Sequence, residues 1–173
     1  MNKNKQVVLL AAALASTALF GNAFAATATQ NLTVQAAIAS ECFVAAPAPL
    51  DFGNYSPTNA NNTAALNGSG TISVTCTSGS TAPMITLGEG LYPFSAAPTT
   101  PLRQMASAAS RLAYFLYLDA GRTTAWGNTF GTGRLVAEVN GTPSVETIYG
   151  RVPGGQNLPV GSYSDTVVIT VTF

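Results

Sequence analysis

An antiparallel β-sandwich or barrel is the architecture this sequence predicts, and three observations carry it. Apolar segments are short, rich in valine and isoleucine, and alternate with polar residues at the period of two that turns one face of a strand toward a core. Threonine, a β-branched residue that suits pleated surfaces, supplies 21 of the 148 residues beyond position 25. Clusters of Gly, Pro, Asn and Ser punctuate these segments, and no internal repeat of solenoid or propeller length is present. The length of 173 residues suits one packed domain.

The first 25 residues read as a cleavable export signal. Lys3 and Lys5 give a basic opening, Val7 to Phe20 is apolar apart from Ser16 and Thr17, and Ala23-Phe24-Ala25 places small residues where a signal peptidase reads. That apolar run is shorter than the ~20 residues of a spanning helix, so no membrane span is expected after cleavage. Leu32, Val34, Ala36 and Ile38 then alternate as one face of a strand. Leu50-Asp51-Phe52-Gly53 predicts a short strand ending at glycine, and the polar stretch Asn54 to Gly70 a loop. Thr71 to Cys76 alternates cleanly and is followed by a Ser78-Gly79-Ser80 turn. Met84 to Leu87 is a strand stopped by Gly88-Glu89-Gly90.

The alanine-rich stretch from Met105 to Ala113 is compatible with a helical turn and is left open. Leu112 to Leu118 is apolar on both faces, as a central strand can be. Gly127 to Gly133 is a loop. Leu135 to Val139 and Ser144 to Tyr149 are strands around Asn140-Gly141, a dipeptide that favours a tight hairpin. After turns at Pro153-Gly154-Gly155 and Pro159-Val160-Gly161, Tyr163 to Phe173 forms the last strand. Within it Val167, Ile169, Val171 and Phe173 share one face, expected to meet the core. Neither Lys nor Pro follows Pro159 to blunt its edge.

Composition excludes several chemistries. Charged residues make up 8% of the chain, against roughly 25% in globular proteins, and beyond position 25 there are 5 Arg and 7 acidic residues. No basic excess exists to bind nucleic acid by counterion release. The absence of histidine removes His-based acid–base catalysis and the commonest zinc ligand, and two cysteines cannot close a structural zinc site. Asp119, Glu138, Glu146 and Asp165 are scattered rather than paired as a glycosidase needs, and no Asp-x-Asp cluster suggests calcium. An enzyme is therefore not expected, nor a cofactor or metal. Trp126, near Tyr114 and Tyr117 in sequence, could be a sugar platform, but a packing anchor at a strand end is the simpler expectation. Asp119 could pair with Arg122. In an exported protein, Cys42 and Cys76 are most simply one disulfide, the alternative being two buried thiols.

Taken in order, these residues resemble the spore coat protein U domain family, which includes subunits of archaic chaperone–usher pili. The resemblance rests on Cys42, Leu50-Asp51-Phe52-Gly53-Asn54-Tyr55 and Ile72-Ser73-Val74-Thr75-Cys76. It continues through Leu112-x-Tyr114-x-Leu116-Tyr117-x-Asp119, Arg122-Thr123-Thr124, Trp126-Gly127 and Tyr149-Gly150-Arg151-Val152-Pro153. Gly161-x-Tyr163-x-Asp165-Thr166-Val167 through Phe173 completes it. It implies an immunoglobulin-like β-sandwich lacking its last strand, with residues 26–39 as an N-terminal donor-strand extension and 40–173 as the pilin domain.

The implied function is a structural subunit of a surface pilus or coat assembled by donor-strand exchange, serving adhesion or biofilm formation. The implied partners are a periplasmic chaperone, an outer-membrane usher and other subunits, met on export through the periplasm to the cell surface. On this reading Leu32, Val34, Ala36 and Ile38 complete a neighbour, and Val167, Ile169, Val171 and Phe173 line the acceptor groove and the chaperone edge. A monomeric secreted carbohydrate-binding sandwich is the competing expectation.

Overall fold

The computed structural model describes residues 25–173, apart from 46, 78, 80–82, 95–99 and 137–140. The export signal, most of the Ser78–Ser80 turn and part of the Leu135–Val139 segment therefore lie outside the described residues. Eight strands follow one another: β1 (Cys42–Val44), β2 (Leu66–Cys76), β3 (Met84–Leu87), β4 (Arg103–Ser107), β5 (Ser110–Tyr117), β6 (Arg134–Leu135), β7 (Ser144–Val152) and β8 (Ile169–Thr172). They form two antiparallel sheets, ordered β1-β2-β7-β5-β4 and β6-β3-β8, with no helix among the described residues. This is the all-β sandwich that the alternation predicts.

The core lies between the sheets. Ile72 and Val74 of β2, Leu112, Tyr114 and Leu116 of β5, and Ile148 and Val152 of β7 face Ile85 and Leu87 of β3. On β2 and β5 the buried residues are every second one, while the threonines and serines of β2 face outward. All four residues of β3 are buried, because β6 and β8 flank it on both edges.

Several expectations are corrected by the structure. Leu50–Gly53 is not a strand: the Gly53 amide donates to Asp51 Oδ1 (2.8 Å), curling the segment in an Asx turn. Leu50 and Phe52 nonetheless pack on the core. The predicted loop 54–70 ends early, since β2 begins at Leu66 and pairs with β7 from Leu66↔Val152 to Val74↔Ser144. Gly68 and Gly70 made this stretch look irregular, but they are there to be covered. A Cβ at Gly68 would lie 3.0 Å from the Phe52 ring, and one at Gly150 across the ladder 2.6 Å from it. Glycine inside a strand here marks close approach by another part of the chain.

The open stretch 105–113 is a hairpin, β4 to β5, turning at Ala108 with φ of 48°. The hairpin expected around Asn140-Gly141 falls on residues 137–140, outside the described residues; on either side of them β6 pairs with β3, and β7 with β2 and β5. The chain falls into two units, residues 1–36 and 37–173. In the first unit, described residues 25–36 form no strand and are exposed; in the second, Ala37 to Ser40 likewise precede the first strand. The strand expected at Leu32 to Ile38 is therefore absent.

Candidate functional site

The last segment of the chain positions the site. Ser164 and Ala106 exchange both backbone hydrogen bonds (2.9 and 3.1 Å), so the segment first lies along β4, the edge of the five-stranded sheet. It then leaves that sheet and joins the other, where β8 pairs with β3 from Leu87↔Ile169 to Met84↔Thr172. The opposite edge of β8 has no strand partner among the described residues. Between Ser164 and Ile169 the sandwich stays open as a cleft of about 460 Å³. Pro47 to Leu50 and Phe52 line one side of it and Tyr163 to Val167 the other, and Leu87, Leu116 and Ile148 of the core reach it. A second cleft of about 790 Å³ shares Leu50, Phe52, Met105 and Tyr163 with the first and extends past Leu158.

Val167 and Ile169 line the first cleft, and with Val171 they are half-buried against the core. Their even-numbered neighbours Val168, Thr170 and Thr172 are exposed. Phe173 departs from the series: it is 50% exposed and lies past the end of β8. The position across from it is Pro83, which has no amide with which to extend the ladder.

A half-buried polar group fixes this wall. Asp165 occupies an inward position of an otherwise apolar row. Its Oδ2 accepts from the Tyr114 hydroxyl (2.6 Å), and its Oδ1 from the amides of Leu91 and Thr166 (both 2.8 Å). A Cβ at Gly90 would lie 2.1 Å from that carboxylate, and Gly90 has φ of 82°, so only glycine lets the loop close on Asp165. Burial, then the bond to Asp165, push the Tyr114 hydroxyl far above the ordinary tyrosine range. Arg103, opposite Tyr114 in the β4–β5 register, is wholly buried. It donates from Nε to Gly88 O (2.7 Å) and from Nη2 to Leu87 O and Trp126 O (2.8 and 3.1 Å), tying the two sheets together. Burial pulls its guanidinium down to about 10. The sequence signal for this group was a lone Asp at an inward position of the last strand, beside a Tyr on a core strand.

Cys42 and Cys76 form a disulfide with their Cα atoms 4.1 Å apart, facing each other in the β1–β2 register. It fastens a three-residue edge strand to β2. Upstream, Leu32, Val34 and Ile38 are 87%, 84% and 90% exposed, and Ala36 is exposed too.

Other candidates settle into structural roles. Trp126 is wholly buried and donates from Nε1 to Ile85 O (2.9 Å), so its ring is a packing anchor and not a surface platform. Asp119 does not pair with Arg122: it accepts from the amides of Thr123 and Thr124 (3.1 and 2.7 Å) and is held below the usual carboxylate range by those bonds, the Thr124 amide first. Arg122 instead donates to the carbonyls of Gly150, Ala120 and Gly68. Glu146 forms an ion pair with Arg134 (3.3 Å), and Glu138 lies outside the described residues. Among the described residues no group of three or more His, Cys, Asp and Glu is placed to hold a metal, and no helix is long and apolar enough to cross a membrane.

Comparison with known proteins gives three findings. The sequence model of the Spore Coat Protein U domain matches residues 28–170. Protein U of Myxococcus xanthus is 46% identical over 181 aligned residues, covering 100% of both chains. Among solved structures, the fold is similar to one chain of the CsuC–CsuE chaperone–tip adhesion subunit pre-assembly complex, from archaic chaperone–usher Csu pili of Acinetobacter baumannii. That alignment has a TM-score of 0.51 and 20% identity, and covers 79% of this chain and 40% of the other.

Proposed function

The chain belongs to the spore coat protein U domain family, and from that premise we propose that it is a structural subunit of a surface pilus or coat, assembled by strand exchange. The observation that carries this reading is the presence in one chain of two complementary parts. One is a strand edge with no strand partner among the described residues, beside a cleft that reaches core residues. The other is an exposed segment, in no strand, whose apolar residues alternate and which carries no charge from Ala26 to Ser40.

An extended segment laid along β8 gains backbone hydrogen bonds and places every second side chain in the cleft. Leu32, Val34, Ala36 and Ile38 of one subunit supply those side chains to the next. Burying a Leu or Ile side chain contributes roughly 1.5–3 kcal/mol, and charge would oppose entry. Val167, Ile169 and Val171 carry the acceptor wall, with Phe173 at its open end. Before assembly a periplasmic chaperone covers the same edge, and an outer-membrane usher passes the subunit to the growing polymer at the cell surface. The likeness to a chain from a chaperone–subunit complex supports this for the fold. The role is structural rather than catalytic, and the polymer serves adhesion or biofilm formation.

Deleting residues 26–37 tests the exchange. The shortened subunit is expected to fold, keep its disulfide and co-purify with the chaperone, but to end polymers because it cannot enter the next cleft. Polymers of normal length built from the deleted form would overturn the donor assignment.

A further inference from the structure

Five arginines lie in the described chain, and their distribution is uneven. Arg103 is buried and Arg134 is paired with Glu146. Each of the other three stacks on a tyrosine: Arg111 at 4.3 Å over Tyr92, Arg151 at 5.5 Å over Tyr117, and Arg122 at 5.8 Å over Tyr149. None of these three forms an ion pair among the described residues.

The strand register puts the three stacks on one surface. Leu112, Tyr114 and Leu116 face the core, so Arg111, Phe115 and Tyr117 of β5 face outward. Ile148, Gly150 and Val152 do the same for β7, leaving Tyr149 and Arg151 outward. Phe115 sits opposite Arg151 and Tyr117 opposite Tyr149, and the Phe115 and Tyr117 rings lie 6.2 Å apart. Beside them β2 presents Asn67, Ser69 and Thr71. No carboxylate occupies an outward position of these strands. Glu146 shares the inward side with Ile72, its register partner, and Asp119 at the end of β5 is occupied by the Thr123 and Thr124 amides.

We propose that this outer face of the five-stranded sheet binds an acidic polysaccharide, one whose sugars bear carboxylates. Arg151 and Arg111 meet the carboxylates, the aromatic rings meet the sugar faces, and the hydroxyl and amide side chains of β2 meet the sugar hydroxyls. The contact with a ring holds each guanidinium in place, so little side-chain freedom is lost on binding. Arg122, whose donors are taken by three carbonyls, adds charge and pins Tyr149. Tyr117 is six steps along β5 from Arg111, about 20 Å of strand. Three cations over that length are too sparse for a nucleic acid duplex, whose charges recur every ~1.7 Å. They suit a chain with one charge per sugar. A polymer of such subunits repeats the face and multiplies weak contacts.

Affinity electrophoresis of the assembled polymer through gels containing alginate, or neutral dextran, tests the proposal. Retardation by alginate, abolished by high salt and absent with dextran, is expected. The double variant R111Q/R151Q should weaken it by roughly tenfold or more with an unchanged melting temperature, and R151K should restore part of the loss. Equal retardation by dextran, or a double variant that binds alginate as wild type does, overturns it. So does tighter binding of single-stranded oligothymidylate than of alginate, which would make the face a nucleic-acid surface. A double variant that alters polymer formation in the absence of any polysaccharide also overturns it, since the face would then be occupied by another copy of this chain.

Discussion

Tyr114 and Asp165, 51 residues apart in the chain, meet in a 2.6 Å hydrogen bond at the wall of the open cleft. The bond joins β5 of the larger sheet to the segment that crosses to the smaller one. It thereby holds the backbone leading into β8 while the cleft beside it stays unfilled. The donor is a neutral hydroxyl, so the half-buried carboxylate gains a partner without a second charge entering the wall.

Y114F removes the donor and leaves Asp165 Oδ2 short of a partner, which should cost about 1–3 kcal/mol in urea or thermal unfolding. The effect has a pH signature. The folded Tyr114 ionises far above its ordinary value of 10.0, so its contribution is complete below pH 10 and is lost as pH rises beyond it. Arg103, drawn down to about 10 by burial, acts in the opposite direction over that range. The difference between wild type and Y114F carries the tyrosine together with its interaction with Arg103, and it should shrink above pH 10. A difference independent of pH would mean that the hydrogen bond is not what the mutation removes.

At Val167 the cleft itself can be tested without touching a ladder hydrogen bond. V167D places an unpaired carboxylate among core residues, an environment that disfavours the charge. Polymer yield and chaperone co-purification should both fall at neutral pH. V168D, at a position 66% exposed on the other face, should leave both unchanged. Equal behaviour of the two variants would place the acceptor surface elsewhere.

The covering of β2 and β7 by Phe52 makes a sharper structural prediction. G150A forces a Cβ to within 2.6 Å of the Phe52 ring, and overpacking of this kind typically costs 1–3 kcal/mol. F52L, with a smaller side chain, should recover part of that loss when combined with G150A. A double-mutant cycle with no coupling between the two sites would show that the ring does not rest on this glycine in solution.

Disulfide removal should act through β1. C42A/C76A frees an edge strand of three residues and should lower stability by about 2–4 kcal/mol, with lower periplasmic levels as the readout in cells. Mass analysis of the unreduced wild-type protein after alkylation should find no modified thiol.

The alternation in Thr71–Cys76, with the short apolar runs Met84–Leu87 and Leu112–Leu118 closed by turn residues, was enough by itself to indicate strands and an all-β sandwich, and in Thr71–Cys76 the buried face as well. The reason is local: a period of two leaves few other ways to bury those side chains. The export context and the even cysteine count likewise pointed to the Cys42–Cys76 bond. Tertiary structure alone decided what depended on a distant partner. Gly68 and Gly70 belong to a strand only because Leu50 and Phe52 lie over the glycines of β2 and β7, and no local pattern announces a ring 16 residues upstream. Asn140-Gly141 has hairpin chemistry, yet the described strands on either side, β6 and β7, belong to different sheets. Asp165 looked like an interruption of an apolar row until Tyr114, Leu91 and Gly90 gave its carboxylate a closed setting. Most telling is Leu32 to Ile38, whose sequence has the makings of a strand and which forms none in the structure. Strand propensity says that a segment can add to a sheet; which sheet it joins is fixed by the edges left open, and those exist only once the rest has folded.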